Sequence, residues 1–329
     1  MRQPRECKEG KRVRRQTPKL PLGKKIKQIR KALTLSFTTQ KRTNMTPPQP
    51  KWKSETAEEE TGEGQQPRFT MGYWQMRGLG AAIRMLLHWG KYTHHGGAEM
   101  NFKDVQYAQD ADGVNEWFKR DKVEMIKDAN PLANIPYLID HEEKKTIVQF
   151  LCICDYLGRK IGVDETDENS DQRLRNAQIA MEIFDLRNSV IRLVYKFPNS
   201  VRTQSEFYER LPEHLGACKK TYQKLESWLQ FHDFTYFAKK DAVSSCDFHA
   251  FEMIDQHEHY QTLVCGKDGE DVEKQDMLSE FPRVKKLHAE MKSRPELKAY
   301  FESKEYKEFQ LNNHTLANSW DGPGPSSKR

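Results

Sequence analysis

Met71-Gly72-Tyr73-Trp74-Gln75-Met76-Arg77-Gly78-Leu79 reads as a strand that ends on a tyrosine and turns through glycine into a helix. The run that follows, Ala81 to Trp89, carries apolar residues at helical spacing. A phenol held at a strand end, facing a helix N-terminus, stabilises an anion by a charge-assisted hydrogen bond. If that anion is a thiolate, the corner makes a nucleophile at neutral pH. Taken alone, Tyr73 is more ordinary as a core tyrosine at a strand–helix corner, so the chemistry needs support from the rest of the chain.

Working outward, strands are expected at about 67–73 and 99–107 with a helix at about 79–90 between them. A short helix or irregular segment is expected near 113–126. Ile135-Pro136-Tyr137-Leu138-Ile139-Asp140 reads as a strand entered through proline. Lys145 to Val148 is its hairpin partner across the polar turn His141-Glu142-Glu143, and a helix follows over about 149–160. A βαβ unit followed by a ββα unit is the order of a thioredoxin-like domain. After residue 164 strand patterning disappears. Leu174, Ala177, Met181, Phe184, Ile191 and Val194 keep one helical face, and Leu211, Leu215, Tyr222, Leu225, Trp228 and Leu229 mark another. Ser244 to Asp247 is a capping-box helix start. Leu278 to Met291 and Pro295 to Phe309 suggest two further helices. The expected fold is an α/β thioredoxin-like domain over 67–160 and an all-α domain over 165–320, with a flexible tail at 321–329.

Composition narrows the function. Residues 1–53 hold 17 of the 54 Lys and Arg but only 2 of the 48 Asp and Glu, a balance of +15 that leaves −9 for the other residues. A basic, Pro-containing extension and an acidic linker over 1–66 therefore precede a mildly acidic body. That body offers no electrostatic case for nucleic acid or an anionic membrane. No apolar stretch approaches the length of a membrane span, which predicts a soluble chain. The cytoplasm fits best, with a mitochondrial address as the alternative if the extension is a transit peptide. Met45 is a possible true start. Six scattered cysteines, Cys7, Cys152, Cys154, Cys218, Cys246 and Cys265, fit a reducing compartment. Cys152 and Cys154 should point different ways on one helix. His257-Glu258-His259 lacks the helical spacing of zinc enzymes and reads as a solvated face, so no metal site is expected.

GYWQMRGLGAAIRMLL resembles the opening of a mu-class glutathione S-transferase, whose pattern is roughly GYWxIRGLxxxIRLLL. NPLANIPYLID at 130–140 stands in the place of the family's FPNLPYLID, and the likeness runs weakly to LANSW at 316–320. It covers about residues 67–320. The resemblance implies the two-domain glutathione transferase architecture and conjugation of glutathione to apolar electrophiles. Glutathione is then a co-substrate, with no bound cofactor, and the assembly a homodimer active in detoxification. Tyr73 would donate to the thiolate as catalytic residue. Trp74, Leu79, Trp117, Asn134, Ile135, Pro136, Gln149 and the backbone N–H of Phe150 would contact glutathione, with Ile135-Pro136 as the family's cis dipeptide. Asp185 would reach the glutathione amine bound by the partner subunit. Met76, Leu79, Phe184, Asn188, Tyr195 and the C-terminal segment would line the electrophile pocket. Lys119 and Lys122 are candidates for the family's lysine after the tryptophan.

The chain also departs from the family. Phe150 replaces a serine that holds the γ-glutamyl carboxylate and caps the following helix, a loss of about 1.5–3 kcal/mol of binding. Val114 stands where an arginine precedes the tryptophan. Leu132 replaces a protruding aromatic at the dimer contact, and Asp155 a basic residue. Phe150 and Val114 favour an alternative, a binding or structural protein on the same scaffold with a degraded glutathione site. A glutathione-dependent reductase or isomerase is a weaker third reading, because tyrosine rather than cysteine sits at the corner.

Overall fold

A computed structural model describes residues 66–97, 100–195, 201–264 and 276–313. The expectations for the basic extension, for the LANSW motif and the tail, and for Cys7 and Cys265 lie outside these residues.

Among the described residues the sheet has four strands, β1 (Phe69–Trp74), β2 (Phe102–Tyr107), β3 (Tyr137–Asp140) and β4 (Lys145–Val148), in the order β2-β1-β3-β4. β1 runs parallel to β2 and antiparallel to β3, and β3–β4 is the expected hairpin. Every residue of β1 is buried, as a central strand covered on both faces requires. Gly72 is obligatory there: a Cβ would lie 2.2 Å from the Tyr137 ring. Helix α1 (Gly80–Thr93) and helix α4 (Phe150–Lys160) cover one side. The segment after β2 is helical from Ala111: α2 (Ala111–Asn115), a π-helical turn (Glu116–Asp121) and α3 (Lys122–Asp128).

The remaining helices are α5 (Asp171–Val194), α6 (Gln204–His232), α7 (Ser245–Thr262), α8 (Pro282–Ser293), α9 (Lys298–Glu302) and α10 (Lys304–Lys307). α7 begins with the expected capping box, Ser244 with Asp247, and is buried nearly all round because it packs against α1, α4, α5 and α8.

Three expectations are corrected. Leu174 and Met181 are 61% and 54% exposed, and Ala177 is exposed with them. The core stripe of α5 is instead Ile179, Ile183, Leu186, Val190 and Leu193. This long helix carries two apolar stripes, and the packing of α7 decides which is covered. The single helix expected over Pro295–Phe309 is broken into a 3-10 turn, α9 and α10, because Ser303 is extended (φ −74°, ψ 160°). The helix expected from Leu278 restarts at Pro282, which takes the N1 position that tolerates a missing N–H.

The sheet and the helices share one core, pinned by a buried ionic cluster. Arg77, in the β1–α1 turn, donates to Glu252 at 2.6 Å and to Asp255 at 2.7 Å, both on α7. Its guanidinium also lies 4.5 Å from the ring centroid of Tyr306, whose hydroxyl donates to Asp255 at 3.1 Å. Burial opposes ionisation of Asp255, but Arg77 and His288 overcome it and hold the carboxyl well below its usual range. The backbone N–H groups of Arg77 and Gly78 donate to the carbonyls of Gln310 and Leu311, so the segment after α10 closes over the same turn.

Candidate active site

Tyr73 is buried at the C-terminal end of β1, paired with Gln106 of β2. The chain turns beyond it through Gly78, whose φ of +38° suits glycine; a Cβ there would lie 3.0 Å from the Tyr73 hydroxyl. The backbone N–H of Leu79, at the N-cap of α1, donates to the Tyr73 hydroxyl oxygen at 3.2 Å. The phenol thus accepts one bond and keeps its own hydrogen to give. Burial raises its pKa, against the pull of Arg187, the Leu79 N–H and Arg84, so the tyrosine stays protonated. Arg84 is itself fixed by Asp104 at 2.7 Å and by the Met76 carbonyl at 2.8 Å.

Beside this turn lies a cleft of about 330 Å³ lined by Leu79, Asn134, Ile135, Pro136, Gln149, Phe150, Leu151, Cys152 and Phe184. Seven of the residues named from the sequence therefore meet on one surface. The Ile135–Pro136 bond is cis, and strand β3 starts only after it. Gln149 is exposed and held at φ +72°, a conformation rare for a side chain other than glycine or asparagine, as N-cap of α4. It makes no side-chain cap, so the first N–H groups of α4 face the cleft without a side-chain acceptor. Such a helix start favours an anion.

Phe150 does not project into open space. Its ring stacks on Phe184 at 6.3 Å and meets His249 edge-on at 4.6 Å, tying α4 to α5 and α7. The Phe150 side chain is part of the core between the layers.

The other named residues stand apart from the cleft lining. Trp74 packs against Tyr107 and Phe118. Trp117 is fully buried in the π-helical turn, stacked on Tyr137 at 5.9 Å, and its indole N–H has no hydrogen-bond partner among the described residues. Met76 is buried under Gly78. Asp185 is exposed and Asn188 half-buried on α5. Tyr195 ends α5, and its hydroxyl accepts the Asn313 backbone N–H at 3.2 Å. Lys122 lies 5.4 Å from the Phe118 ring centroid. Val114 packs partly buried against the core. Asp155 is paired with Arg159 at 2.8 Å and Arg173 at 3.5 Å.

Two residues near the site were missed. Arg187 on α5 offsets part of the rise that burial imposes on the Tyr73 pKa, and lies 5.9 Å from the Phe184 ring centroid. Its position three residues after Phe184 was the signal available in the sequence. His249 is buried beside Phe150 and Phe184, and neither ring nitrogen has a hydrogen-bond partner among the described residues. No periodicity marks it, since α7 is buried on all sides.

Residues 69–159 match the model of the glutathione S-transferase N-terminal domain and residues 184–304 that of its C-terminal domain. The chain is 26% identical over 260 residues to glutathione S-transferase class-mu 26 kDa isozyme 1 of Fasciola hepatica, covering 79% of this chain and 98% of that protein. It is 29% identical over 240 residues to glutathione S-transferase Mu 6 of Mus musculus, covering 72% of this chain and 92% of that one. Among solved structures it shares its fold with glutathione S-transferase Blo t 8 (TM-score 0.56, 23% identity, covering 74% and 96%). The Onchocerca volvulus pi-class glutathione S-transferase gives a TM-score of 0.56 at 21% identity, covering 76% and 99%. With both domain models placed in order on the sheet and the helices, and with mu-class relatives matched over nearly their whole length, the chain belongs to the glutathione S-transferase family and is mu-like in sequence.

Proposed function

We propose that the protein conjugates glutathione to apolar electrophiles, with Tyr73 stabilising the thiolate. The observation that carries this reading is the Tyr73 hydroxyl, which accepts the Leu79 N–H and retains a hydrogen to donate toward a cleft that Leu79 itself lines. An unperturbed thiol has a pKa near ~8.5, and each pKa unit of lowering takes ~1.4 kcal/mol. On binding, the thiol proton leaves to solvent and the sulfur anion takes the phenolic hydrogen bond. The thiolate then attacks the electrophilic carbon. A sulfur–carbon bond forms, and the leaving group departs with its electron pair or, in additions, the product takes up a proton. The Arg187 charge favours the anion throughout.

Glutathione is expected to lie along Ile135, with its γ-glutamyl end at Gln149 and the first N–H groups of α4. The binding domain is assigned to 67–160 and the electrophile-binding domain to 165–320. Phe184 is the expected wall between the two substrates. Met76, Asn188 and Tyr195 are expected further along the electrophile path, Asp185 at the partner's site, and Trp74 and Trp117 behind the glutathione glycyl end. A homodimer is supported by Leu132, which is 70% exposed, and by the exposed stripe of Leu174, Ala177 and Met181. Apolar side chains clustered on a surface call for a covering partner. The reading places the protein in the cytoplasm; among the described residues no helix is long and apolar enough to cross a membrane.

Titration of the full chain with glutathione, followed by turnover of a chromogenic aryl halide, tests the reading. Binding with turnover supports it. No binding in this chain, with binding restored by Phe150→Ser, would give precedence to the non-catalytic scaffold.

A further inference from the structure

The sequence reading places His257 on a solvated face, and the structure corrects this. His257 is fully buried on α7 and meets two residues of α6 that lie far from it in sequence. Cys218 Sγ stands 3.4 Å from His214 Nε2 and 3.5 Å from His257 Nε2. The three donor atoms lie within 4.8 Å of one another. His214 and Cys218 are four residues apart on one face of α6, the helical spacing that lets two side chains share an ion.

From these distances we propose that His214, Cys218 and His257 form a divalent metal site selective for zinc-like ions. Zinc bonds of about 2.3 Å to sulfur and about 2.0–2.1 Å to imidazole, at tetrahedral angles, separate the donor atoms by roughly 3.4–3.6 Å. The two sulfur–nitrogen separations already have these values, and the two imidazole nitrogens lie within 4.8 Å of each other, so a rotation of the His214 ring is enough to complete the set.

The surroundings fit a ligand set. The Tyr222 hydroxyl, one turn beyond Cys218 on α6, is 2.8 Å from His257 Nδ1. It engages the far ring nitrogen and turns Nε2 toward the sulfur, the outer-shell contact that orients metal-bound imidazoles. Thiolate with two imidazoles favours zinc, cobalt or copper over magnesium or calcium. His214 is half-buried and forms the mouth of the site, while Cys218 and His257 are enclosed. A water or an external ligand would complete the tetrahedron. On binding, the Cys218 proton leaves to solvent as the sulfur–metal bond forms. The ion would clamp α6 to α7. Neither helix contributes to the lining of the glutathione cleft, so the proposal stands whether or not Tyr73 acts on a thiol.

The test is titration of the full reduced chain with Co²⁺, followed by absorbance, then displacement by Zn²⁺ and melting with and without metal. One equivalent with a thiolate-to-cobalt charge-transfer band, the visible bands of a tetrahedral ion and a raised Tm are expected. Cys218→Ser should lose the charge-transfer band. His214→Ala, at the partly buried mouth, should keep the fold and weaken binding by at least about tenfold. It also decides the matter if Cys218→Ser does not fold. Absence of the band in the parent chain overturns the proposal, as does a band of unchanged affinity in His214→Ala.

Discussion

The hydroxyl of Tyr73 accepts the backbone N–H of Leu79 at 3.2 Å, so its single hydrogen is not committed to the protein by that bond. Replacing Tyr73 by phenylalanine removes the donor and leaves the ring. Turnover should fall by up to about tenfold for each pKa unit of thiol stabilisation lost, with an unchanged melting curve. Ultraviolet titration of the bound thiol should show a raised pKa in the variant. Equal turnover in both proteins removes Tyr73 from the mechanism.

Phe150→Ser should have two opposed effects. A serine hydroxyl at the start of α4 supplies a charge-assisted bond to the γ-glutamyl carboxylate, worth about 1.5–3 kcal/mol, or roughly tenfold to over a hundredfold in affinity. The lost ring also leaves a hole between Phe184 and His249, and large aromatic truncations cost about 3–5 kcal/mol. Calorimetry with glutathione and urea unfolding should therefore move in opposite directions. Tighter binding without loss of stability would mean that the core between α4, α5 and α7 closes around the smaller side chain.

Arg77→Met should destabilise the protein by about 3–5 kcal/mol, since it strands two carboxylates in the core. The loss should appear as a lower urea midpoint. A double change of Arg77 and Asp255 to apolar residues should cost less than the sum of the two single changes. Additive losses would show that the buried cluster does not act as a unit.

Acid should weaken the fold well above the carboxylate range. Burial lowers His88 to about 4 and His249 to about 3, with Lys91 adding to the effect at His88 and Arg187 at His249. Asp104 and Glu305 pull His88 the other way, and Arg84 lowers it further. In the unfolded chain both titrate near ~6.5. Below that pH the unfolded state binds more protons, so the stabilisation is fully present above about 6.5 and is lost as pH falls toward the folded values. Each histidine should contribute up to ~1.4 kcal/mol per pH unit in that window. Urea unfolding between pH 7.5 and 5 checks the slope. His249→Phe should reduce it by about one proton; an unchanged slope would mean that His249 takes up its proton while folded.

The order of strands and helices in the first half was legible because each element writes its period locally. β1, α1, the β3–β4 hairpin and α4 are placed within a few residues, and the capping box at Ser244 is read directly. The Tyr73 corner, Asn134-Ile135-Pro136 and Gln149 also lie in short motifs, so much of the cleft lining is legible in the sequence. The covered face of α5 was not legible. A helix with two apolar stripes does not say which one its neighbours bury, and only α7 decides that Ile179 and Ile183 go inside while Leu174 and Met181 remain out. The role of Phe150 was equally hidden. In sequence it is a lost serine, and in three dimensions it is a contact between α4, α5 and α7. His214, Cys218 and His257 form no motif along the chain, because their convergence depends on two helices packing side by side. Local periodicity and turn chemistry fix the elements, while non-local packing fixes which side chains meet.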